Sequence, residues 1–443
     1  MNPFSHIPTK RELAAEACGS NDHFSRRTLL QGIGLAGLSW LTPLSRQLTL
    51  AAETTGKRPK SVIVLWMRGG ASQLETFDPH PGSPIGYDST AIATATKGIQ
   101  FGKGLEQTAE LTNDFSIIRS VTSKEGDHER ATYNVKTGYR PFPGLVHPSI
   151  GSVLCHELPA PLIDGSTIEI PTHISIMAGR DSARGGYLGA QYDAFQIGDP
   201  KSPIPDVRSR VDETRTAKRM DSLNILENSF SAGRLASLEK ERTLHQSSIE
   251  RARHMMSSDQ LSAFEIADLP KAEREAYGDT PFGRGCLAAV RLVEAGVRCV
   301  EVTLGGWDTH ANNLEGVLKQ NAILDPALAS LIKGLKARDL YDETIIVVGT
   351  EFGRTPKQNV TEGRDHWPHG FSILMGGGGL KNGQVIGETD PTGEKEEPAG
   401  KVRVEDIHAT VLEKFGVDYE YELTTPIGRP LAISDGIPIR ALL

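Results

Sequence analysis

The chain has 443 residues, with 48 Lys+Arg against 56 Asp+Glu and a formal net charge of −8. That length suits one large α/β domain or two ordinary ones. The acidic balance excludes nucleic acid as a main partner, because phosphate binding needs a basic face.

The first segment has export character. Arg26–Arg27 precede a moderately apolar stretch from Leu29 to about Leu44, and the small residues Ala51 and Ala52 follow. This is the pattern of a Tat-type signal over residues 1–52, which implies the Tat export machinery as a partner and a periplasmic or secreted mature chain, 53–443. The apolar core is short and glycine-rich for a bilayer, and no later run approaches ~18 uninterrupted apolar residues, so no stable membrane span is expected. Cys18 lies in the leader. Cys155, Cys286 and Cys299 are too scattered for a disulfide framework or zinc knuckle and read as buried, inert thiols.

The mature chain opens with Ser61–Trp66, β-branched and stopped by glycines, which reads as a buried strand. Further strands are expected at Asp114–Ser120, Thr172–Met177, Val297–Gly306, Thr344–Thr350 and Ser372–Gly379. Helical periodicity falls between them at Arg284–Gly296 and Ile323–Leu340, and near the end at Val404–Val417. A further helix after Asp127 stops at Gly138. The expected fold is therefore α/β, a doubly wound, mostly parallel sheet sandwiched by helices. Residues of about 205–275, rich in Arg, Glu, Lys and Ser, read as a helical insertion of mixed charge. His408 sits beside the apolar face of the last helix and reads as structural.

In such a sheet, ligands bind beyond the carboxyl ends of the strands. Asp308 and His310 follow one expected strand, Glu351 and Arg354 another, and Asp365, His366 and His369 lie in the next loop. Imidazoles with carboxylates gathered at one edge are what a divalent metal ion needs, with Zn, Ca or Mn as candidates; the bland reading is a hydrogen-bonded network around loop glycines. Asp127–Arg130 opens a helix whose N-terminus favours an anion or is simply capped by Asp127. In RGGASQLETFDPH, Arg68 to His80, Ser72 reads as a cap or a nucleophile, and Glu75 and Asp78 as loop supports.

GGASQLETFDPH, HERATYNVKTG, GGWDTHANN, GTEFGRTPKQN and GRDHWPHGFSILMGGGG together resemble the DUF1501 proteins, grouped with the sulfatase and alkaline phosphatase-like superfamily. The resemblance runs from about Ser61 to the C-terminus and implies an alkaline phosphatase-like sandwich with metals at the sheet's carboxyl edge. It places Arg68 where the superfamily has an aspartate, and His128 about where it has a nucleophile. Phe352, in Glu-Phe-Gly, stands where it has a histidine. Asp308, His310, Glu351, His366 and His369 are the implied metal ligands. His128 is the implied acid/base, with Arg68, Arg130 and Arg354 as groups able to grip sulfate or phosphate. The expected function is an exported metal-dependent hydrolase of sulfate or phosphate esters, acting on a small molecule or a polysaccharide. The alternative is a non-catalytic envelope or binding protein that keeps the fold.

Overall fold

The computed structural model describes residues 61–443 apart from 159–161, 164–165, 206, 208–209, 232–248 and 250–251. The segment expected to be an export signal, residues 1–52, lies outside these residues. No helix among the described residues is long and apolar enough to cross a membrane.

The strands that form the sheet are β1 (Ser61–Arg68), β2 (Phe115–Thr122), β3 (His173–Ile176), β4 (Phe195–Ile197), β5 (Cys299–Gly305) and β6 (Thr344–Gly349). A short hairpin, β7 (Gly353–Arg354) with β8 (His366–Trp367), follows β6, and the sheet is completed by β9 (Phe371–Gly377), β10 (Val385–Ile386) and β11 (Val402–Arg403). Strand order is β10-β2-β9-β6-β1-β5-β3-β4, with β11 also on β2. All the pairings are parallel except those of β9, which runs against both β6 and β2. The expected mostly parallel sheet is present, with β9 its antiparallel member.

Alternation along β1 decides which layer each residue joins, since successive side chains point to opposite faces. Ile63, Leu65 and Met67 enter a core with helices α4 (Pro281–Glu294) and α5 (Asn313–Ala337). Val62 enters the opposite core with α2 (Ile150–Glu157) and α6 (Val404–Phe415). Each fully buried Leu, Ile or Val contributes about 1.5–3 kcal/mol of transfer free energy. Helix α4 starts where Pro281 presets the first turn and Thr280 accepts from the Gly283 N–H. Helix α5 begins ten residues before the expected Ile323 and carries Pro326 internally. Of the expected insertion, the described part includes the largely exposed α3 (Glu213–Ser231).

Cys155, Cys286 and Cys299 are free thiols, and burial pushes all three up, Cys155 to about 11.

One packing contact aims the helix that leads into the site. Helix α1 (His128–Thr137) is capped by Asp127, which accepts from the Arg130 N–H at 3.1 Å, and closes on Gly138 at φ 75°. His408 of α6 is buried and donates from Nε2 to the Val135 carbonyl at 2.7 Å. A Cβ at Gly138 would lie 3.1 Å from that imidazole, so glycine serves both the left-handed turn and the close approach. His408 is thus structural.

Burial lowers the His408 pKa from 6.5 to about 4. The unfolded chain then binds this proton at a higher pH than the folded one, so stability is full above pH 6.5 and declines as pH falls toward 4. At 1.36 kcal/mol per unit the contribution is about 3 kcal/mol. Urea unfolding between pH 4 and 7 should show the wild type losing more stability than His408→Gln by roughly that amount, and equal acid slopes would count against the assignment.

Candidate metal centre

Strands β6, β1 and β5 are adjacent and parallel, so their carboxyl ends open on one edge. β1 is followed at once by Gly69 at φ 121° and Gly70 at φ 79°. A Cβ on Gly69 would come within 2.5 Å of the Asp308 nitrogen, and one on Gly70 within 2.4 Å of the Phe352 ring. The glycine pair therefore lets three strand ends meet closely.

Into this meeting point run the expected residues. Glu351, just past β6, is fully buried and accepts from the Gly69 N–H at 2.7 Å. Its Oε1 also lies 3.0 Å from Nδ1 of His128, the first residue of α1. The other nitrogen of His128, Nε2, is 3.2 Å from Asp308 Oδ2. Asp308 Oδ1 is 3.1 Å from His310 Nε2 and 3.4 Å from His366 Nε2, and these two nitrogens are 3.0 Å apart. His128, Asp308 and His366 offer ligand atoms within 4.8 Å of one another. The Phe352 ring forms a dry floor, its centroid 4.3 Å from that of His366 and 5.0 Å from that of His128.

Beneath this cluster lies Arg354, its side chain 0% exposed. Nε donates to the Gly70 carbonyl at 2.7 Å and Nη1 to the Arg364 carbonyl at 3.0 Å. Nη2 reaches the carbonyl of Gly69, that of Trp307 at 3.2 Å and Asp308 Oδ1 at 2.7 Å. With its donors engaged by the protein, Arg354 holds Asp308 and the strand ends, and it leaves no fork for an ester anion. The β7–β8 hairpin pairs Arg354 directly with His366, so one residue fixes both the aspartate and the approach of this histidine.

Charge follows from these contacts. The Glu351 hydrogen bond raises the His128 pKa against the pull of burial, with Asp308 adding to it. Burial leads in lowering that of His366, helped by the Arg354 charge. Burial works to raise Asp308, but the Arg354 hydrogen bond and charge, with His128 and His310, outweigh it and hold the carboxyl below its usual range.

Two of the expected residues lie elsewhere. Arg68 turns outward, half exposed, and pairs with Asp181 at 3.4 Å. His369 sits 2.9 Å from Glu396 and lines a cleft of about 920 Å³ with Tyr139, Arg140 and Phe142. Trp367 and Pro368 carry the chain from His366 out of the cluster into this cleft. Arg130 is engaged with Glu125 at 2.7 Å. Ser72 is buried and donates to Glu75, so it serves as a loop support and offers no exposed nucleophile. Asp78 accepts from the Thr389 N–H at 2.9 Å and from its hydroxyl at 2.7 Å, again a loop support.

The sequence reading passed over one residue and left another, Asp365, out of the ligand set. Arg364 is fully buried, donates to Glu75 at 2.9 Å and to the Ile85 carbonyl at 2.8 Å, and so locks the loop after β1 to the loop before β8. Asp365 lies outside the expected ligand set, yet its Oδ1 is 2.8 Å from His310 Nδ1, and this contact holds its carboxyl below the usual range. For Arg364 no signal was available, because no periodicity reports which side of a loop a residue faces.

The family model described as "Protein of unknown function (DUF1501)" matches residues 59–443. The chain belongs to the DUF1501 family. No curated protein matches it. Among solved structures, this DUF1501 chain is similar to i-CgsB in complex with k-i-k-neocarrahexaose, at 9% identity and TM-score 0.41, covering 82% of this chain and 73% of that one. It is similar to the PsFucS1 sulfatase from Pseudoalteromonas sp., at 11% identity and TM-score 0.37, covering 85% and 72%. It is also similar to alkaline phosphatase from the Antarctic bacterium TAB5, at 12% identity and TM-score 0.36, covering 81% and 99%. Likeness at this level carries no argument about chemistry.

The two arginines should separate cleanly. Arg354→Met leaves Asp308 and several carbonyls without their cation and should cost about 3–5 kcal/mol in urea unfolding. Arg68→Ala removes an exposed pair and should cost no more than about 1 kcal/mol. Comparable losses would contradict the placement of Arg354 beneath the site.

Proposed function

We propose that this DUF1501 chain is an exported, metal-dependent hydrolase of sulfate or phosphate esters. One observation carries the metal. His310 Nδ1 faces Asp365, and His366 Nδ1 lies 2.8 Å from the Gly126 carbonyl, so in each neutral ring the hydrogen sits on Nδ1. The bare Nε2 atoms then point at each other and at Asp308 Oδ1, separated by 3.0, 3.1 and 3.4 Å. Lone pairs so placed favour a cation among them, a metal ion or a proton, and the ion has the whole open side of the cluster from which to enter. Ligand atoms around a tetrahedral ion with bonds of ~2.0–2.1 Å are about 3.3 Å apart, which fits this set. The donor chemistry, two imidazoles and a carboxylate, suits Zn or Mn better than Ca, which prefers oxygen throughout.

His128, like His310, has a carboxylate at each ring nitrogen, here Glu351 at 3.0 Å and Asp308 at 3.2 Å, and the Glu351 contact favours its protonated form. Buried Glu351 keeps the Nδ1 proton in place, which aims Nε2 toward the exposed side of the cluster. In an ester docked against Asp308, His310 and His366, water entering from the exposed side would form the new bond to sulfur or phosphorus as the bond to the leaving oxygen breaks, and that oxygen would take a proton from His128 Nε2. The divalent ion would supply a Lewis acid polarising the ester's non-bridging oxygens. The cleft that begins at His369 gives room for the remainder of a substrate, small molecule or polysaccharide; its cations are paired, Arg140 with Glu125 at 2.6 Å and Lys401 with Glu397 at 2.7 Å. The leader supports export to the periplasm or beyond and division into a signal, 1–52, and a hydrolase-like domain, 53–443, with its helical insertion of about 205–275.

A binding protein without catalysis remains the second reading. Its support is Phe352, buried where the resemblance expects an imidazole, and the outward turn of Arg68.

Elemental analysis of the purified chain should find about one equivalent of a first-row divalent ion, and His310→Ala with His366→Ala should remove it. His128→Gln should keep the ion and lower turnover of aryl sulfates or phosphates by about 10²–10⁴. Wild-type protein free of metal, or metal content indifferent to the double substitution, would overturn the hydrolase reading. Metal without any esterase activity would favour the binding protein.

A further inference from the structure

The two metal-facing histidines are held differently. His366 Nδ1 bonds a main-chain carbonyl, that of Gly126, which no side-chain substitution removes. His310 Nδ1 bonds a side chain, Asp365, at 2.8 Å. Both partners in this second contact are about half exposed, His310 at 47% and Asp365 at 56%, so the core does not fix the ring.

A short loop does so instead. Asn359 Nδ2 donates to Asp365 Oδ1 at 3.2 Å and to the His310 carbonyl at 3.0 Å. Thr361 Oγ1 donates to the same carbonyl at 2.7 Å. Asn359 Oδ1 in turn accepts from the backbone N–H groups of Thr361 and Gly363, each at 3.0 Å. A Cβ on Gly363 would meet the His310 carbonyl at 1.9 Å, so the loop closes on His310 only because glycine stands there. Residues 359–365 thus grip His310 at its backbone and at its ring, while none of these side chains faces the cluster.

We propose that Asp365 is a positioning residue that fixes His310 in the Nδ1–H tautomer and so presents its bare Nε2 to the metal centre. Asn359 holds Asp365 in place for this. A carboxylate behind a ligating imidazole orients the ring and raises its basicity, and its loss typically costs 10–100-fold in metal affinity. This assignment rests on the metal reading for its effect on affinity; in the metal-free protein Asp365 at 2.8 Å and Asp308 at 3.1 Å compete for the ring's proton, and Asp308 is already engaged by Arg354 and His128.

The test uses the full chain with ¹⁵N-labelled histidine. In chelator-treated wild type, the His310 resonance, assigned by its absence in His310→Ala, should show a protonated Nδ1 and a bare Nε2. Asp365→Ala should mix the two tautomers or favour Nε2–H, and Asp365→Glu should restore the wild-type pattern in part. Zinc affinity should fall 10–100-fold in Asp365→Ala and recover in Asp365→Glu, with the thermal midpoint of the metal-free protein unmoved. A His310 tautomer identical in wild type and Asp365→Ala would overturn the proposal, as would a wild-type Nε2–H form. If wild type binds no zinc yet the tautomer responds to Asp365, the metal reading fails and the positioning role stands.

Discussion

The buried guanidinium of Arg354 gathers the site. It takes the carbonyls of Gly69 and Gly70 from the end of β1, that of Trp307 from beyond β5 and that of Arg364 from the loop before β8, and it pairs with Asp308. Burial pulls its pKa down, yet a guanidinium keeps its charge in a protein. A buried cation is tolerated only when its hydrogens are matched and its charge is countered. Here the matching partners are the strand ends that the site needs side by side, so satisfying one side chain also sets the spacing of Asp308, Glu351 and His366. The glycines at 69 and 70 serve the same end, since any side chain there would force the strand ends apart.

Above this cation the charges alternate. Asp308 and Glu351 place carboxyl groups on either side of His128, and His310 and His366 turn their Nε2 atoms toward Asp308 and each other. The Phe352 ring beneath the imidazoles keeps water out on one side, which strengthens each of these interactions. The exposed side of Asp308 leaves the opposite face open to a ligand. A centre with one buried arginine and one exposed side is asymmetric, which agrees with the chemistry proposed for an anionic ester.

Much of this was legible in the sequence, and the reasons differ by element. Uninterrupted β-branched runs such as Ser61–Trp66 and Thr344–Gly349 belong to strands covered on both faces, and the burial of both faces in β1 and β6 bears that reading out. Strand direction was not legible: β9 has the same apolar character as the parallel strands of the sheet, yet it runs against both of its neighbours, β6 and β2. Glu351, Asp308, His310 and His366 were legible as a group because each follows a strand whose end must lie on one edge. Arg68 and Arg354 show the limit. Both are arginines beside strand ends, but the side chain at the tip of β1 emerges into solvent, whereas the one in β7 points inward under the loops. His366 and His369 show it again, three residues apart in a loop whose path no period governs.

The central claim is that imidazoles from two separate loops and Asp308 share one ion. X-ray absorption at the edge of the metal that copurifies with the full chain tests it most directly. The account predicts a first shell of nitrogen and oxygen at ~2.0–2.2 Å with outer-shell scattering from at least two imidazole rings. A spectrum without imidazole scattering, or a protein that retains no first-row ion, would contradict it.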